Sequence, residues 1–264
     1  MGLSVSTHLL VSMLESDPEG AAWLRAQIAI INDLFASYAR PTSDDHLQFL
    51  IWCFGFFVGM RMSWTDAGFA DATPVEIHGA GAMSDIMWLG DGLEMAISGA
   101  DVFWRKWEAK RKIAKILTGA IHAYFLAQTR TLFEYEQFVY LYIAFEGCHA
   151  ASETIAGRSP RATAHGARIR NLCVTFQMDV PTWADWSGNL QPAVTVVRND
   201  ALHEGLFFDE PLGFQGSGDE APSKNIIAEM RALVSRFIVA LLELPATDYI
   251  RSPISSRQIE GVRL

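Results

Sequence analysis

The sequence predicts a mainly α-helical protein, in which a C-terminal four-helix bundle follows a helical region with a small β-element. Three observations lead to this prediction. Half of the 264 residues are hydrophobic and 19% are charged, so the chain can bury a sizeable core. Long stretches place apolar residues at the i, i+4, i+7 spacing of an amphipathic helix. Stretches rich in glycine and proline separate these segments.

The N-terminal part, residues 1–118, is predicted to be a helical and mixed region whose role the sequence does not indicate. The triplet Asp17-Pro18-Glu19 indicates a helix start, with aspartate at the cap and proline in the first turn. This helix is expected to run through Ala36. The sequence TSDD at residues 42–45 indicates a second start, before a helix over Leu47–Met62.

The small β-element is expected where this helical periodicity breaks. Thr73–His78 alternates in the manner of a short strand, and Met60–Trp64 is a second candidate strand. After this element, residues 90–130 are predicted to form a long helix, broken at Gly99 or at Gly119.

A C-terminal helical domain is predicted over residues 119–250, with a tail at 251–264. Pro245 ends its last helix, and the glycine-, proline- and acid-rich segment Asp209–Lys224 is predicted to be a loop before that helix. The four predicted helices span Phe133–Gly157, Ala162–Met178, Leu190–Gly205 and Ser223–Leu244.

The third of these helices carries the candidate catalytic residues Arg198, Asn199 and His203. At 100° per residue, Asn199 and His203 are neighbours opposite the apolar stripe, and Arg198 lies between the two faces. A histidine can accept or donate a proton near neutral pH, and an arginine fork can stabilise charge on phosphate oxygens. The amide of Asn199 can orient either group. Alternatively, the three residues form an ordinary solvated helix face.

This pattern resembles the signature of the HEPN family, small helical domains of which many are metal-independent ribonucleases. Their motif is an arginine, often followed by a polar residue, and a histidine after a gap of four to six residues. The resemblance covers about residues 120–250. It implies that Arg198 stabilises the transition state, that His203 acts as general base or acid, and that Asn199 orients them. It implies neither a metal nor another cofactor.

The resemblance also implies partners. One motif supplies one histidine, whereas protonation of the leaving 5′-oxygen needs a second group. In the family, two protomers face each other and pool their motifs, so a homodimer through the motif helix is expected. The implied setting is prokaryotic defence or a toxin–antitoxin system, with RNA as substrate and an antitoxin or regulatory protein as a further partner.

A net charge of −9 means that RNA binding requires a local basic patch. No acidic residue occurs from Thr154 to Met178. This stretch either binds substrate phosphates or balances acids elsewhere in the fold. A second basic segment, Arg105–Lys115, either follows the RNA backbone, with Trp104 or Trp107 stacked on a base, or is a solvated helix face. The candidate RNA-binding residues are Arg158, Arg161, Arg168 and Arg170.

Other site types find less support. A looser arginine–histidine match, Arg158 to His165, contains Pro160 and is interpreted as a loop. Glu146-x-x-His149 has the spacing of a di-metal site in a helical bundle, but the second such pair that this site needs is absent. No metal site is therefore predicted.

The expected location is the cytoplasm. The three cysteines are scattered among apolar residues and are interpreted as buried thiols in a reducing compartment. The longest apolar run, Leu47–Met60, has about fourteen residues, whereas a membrane span needs about twenty. Two alternatives to the ribonuclease remain, a non-catalytic HEPN-like dimerisation or RNA-binding module and an unrelated helical protein.

Overall fold

The computed structural model describes most of the chain from residue 41 onward. The predicted helix from Asp17 to Ala36 lies outside the described residues, as do residues 74–78, His203 and the segment Asp209–Lys224. The described residues are Ser37, Ala39, 41–59, 61–64, 70–73, 86–129, 132–185, 192–199, 226–254 and 261–262.

Helix α1 (Asp44–Val58) begins at the predicted TSDD start. The Ser43 side chain accepts a hydrogen bond from the His46 backbone N–H at 3.2 Å and so caps the helix. The helix ends at Gly59, which has a left-handed backbone with φ of 71°. The predicted end at Met62 was therefore wrong, because the chain leaves the helix at this glycine.

Short strands follow α1. Strand β1 (Arg61–Trp64) pairs antiparallel with β2 (Ala70–Thr73), and β1 coincides with one of the two candidate strands. The second strand ends at Thr73, where the other candidate was expected to begin. Strand β3 (Met87–Trp88) pairs in parallel with β4 (Gly261–Val262), which joins the C-terminal tail to the N-terminal region.

The predicted long helix consists of two helices, α2 (Gly92–Trp107) and α3 (Lys112–Leu126), separated by a 3₁₀ turn at Glu108–Lys110. The predicted breaks at Gly99 and Gly119 were wrong, because both glycines lie inside these helices. Gly99 instead permits a close approach, since a Cβ atom there would lie 2.3 Å from the Leu244 side chain. The break falls in the basic segment, where like charges disfavour a continuous helix.

His46 joins α1 to α2. Its side chain is fully buried, and its Nδ1 accepts a hydrogen bond from the Thr42 backbone N–H at 3.1 Å. Its Nε2 lies 3.0 Å from Asp101 Oδ1, and the Trp104 ring stacks on it with centroids 5.0 Å apart. Burial lowers the pKa of His46 more than the facing carboxylate raises it.

Helices occur at the four places predicted for the C-terminal half. The predicted starts at Leu190 and Ser223 and the predicted end at Gly205 lie outside the described residues. The second is shorter than expected because the chain first forms 3₁₀ turns at Pro160–Ala162 and His165–Ala167. A short helix, α8, follows Pro245. The helices are α4 (Glu134–Ile155), α5 (Arg168–Thr175), α6 (Ala193–Asn199), α7 (Ile226–Leu241) and α8 (Thr247–Arg251).

The protein is mainly α-helical, and α4 lies at its centre, packed against α3 and α7. Phe145 of α4 contacts Phe237 of α7 with ring centroids 5.8 Å apart. One core cluster contains residues from each of the helices α1 to α8, both of these included. The domain boundary predicted from the sequence, between residues 118 and 119, would fall inside α3. Within the described ranges, no helix has the length and apolar character needed to cross a membrane.

Candidate functional site

The motif residues Arg198 and Asn199 are the last two described residues of α6. This helix begins after Pro192, whose carbonyl accepts hydrogen bonds from the backbone N–H groups of the first turn. Val194 is buried, whereas Arg198 and Asn199 are half-buried. His203, the third motif residue, lies outside the described residues.

Arg198 connects the motif to α4. Its Nη1 donates a hydrogen bond to Asn199 Oδ1 at 2.9 Å. Its guanidinium carbon lies 5.9 Å from the centroid of the Tyr142 ring, a distance typical of a cation–π contact. The arginine and the amide of the motif therefore act as one hydrogen-bonded unit next to an aromatic ring.

Glu146, one turn after Tyr142 on α4, holds an arginine and a histidine. Its Oε1 lies 3.2 Å from His165 Nδ1, and its Oε2 accepts a hydrogen bond from Arg168 Nη1. Arg168 is further fixed because its Nε donates to the Thr163 carbonyl at 3.1 Å. The Arg168 side chain is 12% exposed and that of His165 is 45% exposed. The ion pair is thus sheltered, while the imidazole reaches solvent.

Tyr142 links Glu146 to Arg198. The pKa of Tyr142 is raised to about 12, first by burial and then by the Glu146 charge, against the opposing effect of Arg198 and Arg168. The phenol therefore remains protonated at neutral pH, and Glu146 lies one helical turn away from it on α4. We call Tyr142, Glu146, His165, Arg168 and Arg198 the Glu146 cluster.

A cleft of about 340 Å³ adjoins the Glu146 cluster, between the second half of α4, the turn at Pro160–Ala162 and α5. His149 contributes to its wall but is only 2% exposed. Burial and the charge of Arg168 lower the pKa of His149, and its Nε2 is a buried nitrogen with no hydrogen-bond partner in the described part of the chain. This histidine is therefore neutral near pH 7. The cleft is lined by His149, Ser152, Glu153, Arg158, Ala162, Thr163, Asn171, Leu172, Val174 and Thr175.

Three of the four predicted RNA-binding arginines pair with carboxylates of neighbouring elements. Arg158 contacts Glu153 at 2.6 Å, and the hydrogen bonds from Arg158 lower the pKa of that carboxyl. Arg168 pairs with Glu146, and Arg170 lies 3.4 Å from Asp185. The fourth, Arg161, is exposed in the turn at Pro160–Ala162. The acid-free stretch thus balances acids elsewhere, although the side chains of Arg158 and Arg170 remain about half exposed.

The other basic segment, Arg105–Lys115, is also engaged in ion pairs. Arg105 contacts Asp101 within α2 at 2.7 Å, and Lys106 reaches Glu243 at 2.8 Å. Of the two tryptophans considered for stacking on a base, Trp104 is only 3% exposed and therefore cannot do so, whereas Trp107 is half-buried. The Trp104 ring is instead part of the core between α1 and α2.

The described residues hold no group of three or more histidine, cysteine or acidic side chains that could bind a metal ion. Glu146 of the Glu146-x-x-His149 pair is turned towards Arg168 and His165. All three cysteines are buried free thiols, and burial raises the pKa of each. They are therefore protonated at neutral pH.

Sequence reasoning missed Tyr142, Glu146 and His165 as site residues. The turns at residues 160–167 confirm that the Arg158-to-His165 match lies in a loop, yet His165 itself joins the cluster. The absence of acidic residues from Thr154 to Met178 could have indicated Glu146, because a largely buried cation such as Arg168 needs a carboxylate from another element. The comparisons with models of protein families, with curated proteins and with solved structures find no match to this chain.

Proposed function

We propose that this chain is a metal-independent endoribonuclease of the HEPN type, which cleaves RNA phosphodiester bonds through Arg198, Asn199 and His203. The observation that carries the proposal is the surroundings of Arg198. Its hydrogen bond to Asn199 is 2.9 Å long, and α6 packs against the turn that contains His165. The guanidinium and the amide of the motif are thus held side by side, and such groups together can bind the oxygens of a phosphodiester.

Each motif residue has a role in this proposal. Arg198 binds the non-bridging phosphate oxygens and stabilises their charge in the transition state. Asn199 Oδ1 accepts from Arg198, and its NH₂ group is the donor that would bind the substrate. His203 removes the 2′-hydroxyl proton, the 2′-oxygen attacks phosphorus, and the 5′-oxygen leaves, which produces a 2′,3′-cyclic phosphate.

Homodimerisation through the motif helix belongs to the same proposal. Val196 of α6 is 44% exposed, and an exposed aliphatic side chain on this helix is suited to contact with a second copy. The setting in prokaryotic defence or a toxin–antitoxin system, with an antitoxin or regulatory partner, rests on the resemblance to HEPN domains.

A non-catalytic HEPN-like dimerisation or RNA-binding module is the second candidate. One observation favours its dimerisation form: Arg158, Arg168 and Arg170 are paired with carboxylates. Such pairing reduces the positive charge that the surface offers to RNA, and phosphate contacts dominate the affinity of proteins for nucleic acid.

RNA cleavage in the presence of EDTA distinguishes the two candidates. Wild type is compared with Arg198→Ala, His203→Ala and the charge-matched control Arg251→Ala, whose side chain is exposed and donates a hydrogen bond to Gln177. Circular dichroism establishes that each variant is folded. We expect the first two variants to lose cleavage and the control to retain it. If wild type cuts no RNA, the non-catalytic module is favoured. Equal cleavage by all variants would exclude the motif as the catalytic site.

A further inference from the structure

The cleft between α4, the turn at Pro160–Ala162 and α5 contains none of the three motif residues. We propose that this cleft is a binding site for a small uncharged polyhydroxylated molecule of monosaccharide size. Its volume of about 340 Å³ lies near the lower end of the range of about 300–1,000 Å³ found for small-molecule sites. The inference does not depend on the proposed ribonuclease function.

The first support is a buried polar group without a partner. His149 lines the cleft and is 2% exposed, and its Nε2 has no hydrogen-bond partner within the described ranges. Buried polar atoms are nearly always paired, so an exception points to a bound water, ion or ligand. Ser152 and Glu153, three and four residues further along α4, share the same helix face and also line the cleft. A molecule bound at His149 therefore lies next to both of them.

The second support is the balance of charge in the cleft wall. Glu153 is 8% exposed, and its two oxygens accept hydrogen bonds from Arg158 Nε at 2.9 Å and Nη2 at 2.6 Å. The charges of this pair cancel, and His149 adds none because burial and Arg168 lower its pKa. An anion in the cleft would meet the carboxylate, and a cation would meet the guanidinium. An uncharged ligand is therefore favoured.

The third support is the chemistry of the lining. Seven of its ten side chains carry a hydrogen-bonding group, and none of these ten described residues is phenylalanine, tyrosine or tryptophan. A flat heterocycle such as a nucleobase is usually bound by stacking on an aromatic ring, and this cleft offers none. A hydroxyl group both donates and accepts. A polyol can therefore pair with His149 Nε2 in either tautomer, and with Ser152 and Asn171 as well.

The cleft is formed before a ligand binds, because contacts within the chain fix its walls. Gly157 has a left-handed backbone with φ of 71°, which turns the chain back so that the Arg158 backbone N–H donates to the Glu153 carbonyl at 2.8 Å. The Thr163 carbonyl accepts a hydrogen bond from Arg168 Nε at 3.1 Å. Polar groups that are already in place reduce the entropy cost of binding.

Saturation-transfer NMR on the full chain measures the binding of D-ribose and D-glucose. Acetate, tetramethylammonium and uracil serve as probes of an anion, a cation and a flat heterocycle. The variants Ser152→Ala and Asn171→Ala each remove one hydrogen-bonding group from the cleft. Thr118→Val is the matched control, because Thr118 lines a smaller cleft of about 200 Å³ formed by α1, α2 and α3. The melting temperature of each variant establishes that it is folded.

We expect at least one sugar to bind saturably with a dissociation constant in the millimolar range, since a small ligand makes few contacts. Ser152→Ala and Asn171→Ala should each weaken binding roughly 3–10-fold, the effect of one hydrogen bond, whereas Thr118→Val should bind like wild type. Absence of saturable sugar binding by wild type would overturn the proposal, as would equal binding by all four proteins. Tighter binding of acetate, tetramethylammonium or uracil than of either sugar would also overturn it.

The terminal ribose of RNA carries the same vicinal hydroxyl groups as a free sugar. A uridine trinucleotide whose first two sugars are 2′-deoxy, and which therefore cannot be cleaved through a 2′-oxygen, is compared with the same molecule ending in a 3′-phosphate. If the free 3′-terminal diol binds more tightly than both the phosphate-ended molecule and D-ribose, the polyol site takes the end of an RNA. If it binds no more tightly than D-ribose, the site takes a free sugar.

Discussion

Glu146 holds Arg168 and His165 at once, so replacing it with glutamine removes the one charge that both share. The side chains of Glu146 and Arg168 are 30% and 12% exposed, so this ion pair is intermediate between a solvent-exposed pair and a buried one. Exposed ion pairs contribute about 0–1 kcal/mol, and removing one partner of a buried pair costs about 3–5 kcal/mol. We therefore expect Glu146→Gln to lower the free energy of unfolding by about 1–3 kcal/mol.

Urea unfolding followed by circular dichroism measures this change, and a double-mutant cycle with Arg168→Gln isolates the pair. Asp185→Asn is the matched control, because Asp185 and Arg170 lie 3.4 Å apart with side chains 46% and 48% exposed. The control should cost less than about 1 kcal/mol. A coupling energy between Glu146 and Arg168 below about 0.5 kcal/mol, the range of independent sites, would refute the reasoning.

Two further predictions concern packing and pH. A Cβ atom at Gly147 would lie 3.0 Å from the Ala120 Cβ, so Gly147→Val should push α3 away from α4 and lower the free energy of unfolding in urea by about 1–3 kcal/mol. Gly119 has open space at its Cβ position, so Gly119→Ala should raise that free energy by about 0.5–1 kcal/mol. Equal effects of the two substitutions would contradict this reasoning. Burial lowers the pKa of His46 and His149, so the unfolded chain binds protons more strongly, and the free energy of unfolding should fall as pH decreases below about 6.5. Urea titrations at about pH 7.5 and 5.5 measure this, and replacing either histidine with glutamine should reduce the slope.

Local signals predicted where the helices begin better than where they break. Ser43 caps α1 as the sequence indicated because a cap is a contact between residues three apart. Gly99 was expected to break a helix, but it lies inside α2 because the Leu244 side chain occupies the space beside it. The two residues are about 145 positions apart in the sequence, so the pattern of residues around Gly99 could not indicate their contact.

The same distinction separates the predicted from the missed part of the site. Arg198 and Asn199 are adjacent in sequence, and their hydrogen bond follows from helical spacing and side-chain chemistry. Glu146 is 22 residues from Arg168, so its role depends on how α4 packs against α5. Sequence periodicity indicated that both helices exist but could not indicate which of their faces meet.

The central place of α4 has a consequence for how the protein is made. Its apolar face is covered by α3, which precedes it, and by α7, which begins about 70 residues after α4 ends. At 5–20 residues per second, a ribosome needs roughly 4–14 s to supply α7. During that interval Phe145 and its neighbours have no partner from α7, so the nascent chain presents an apolar surface on which chaperones can act and through which chains can aggregate.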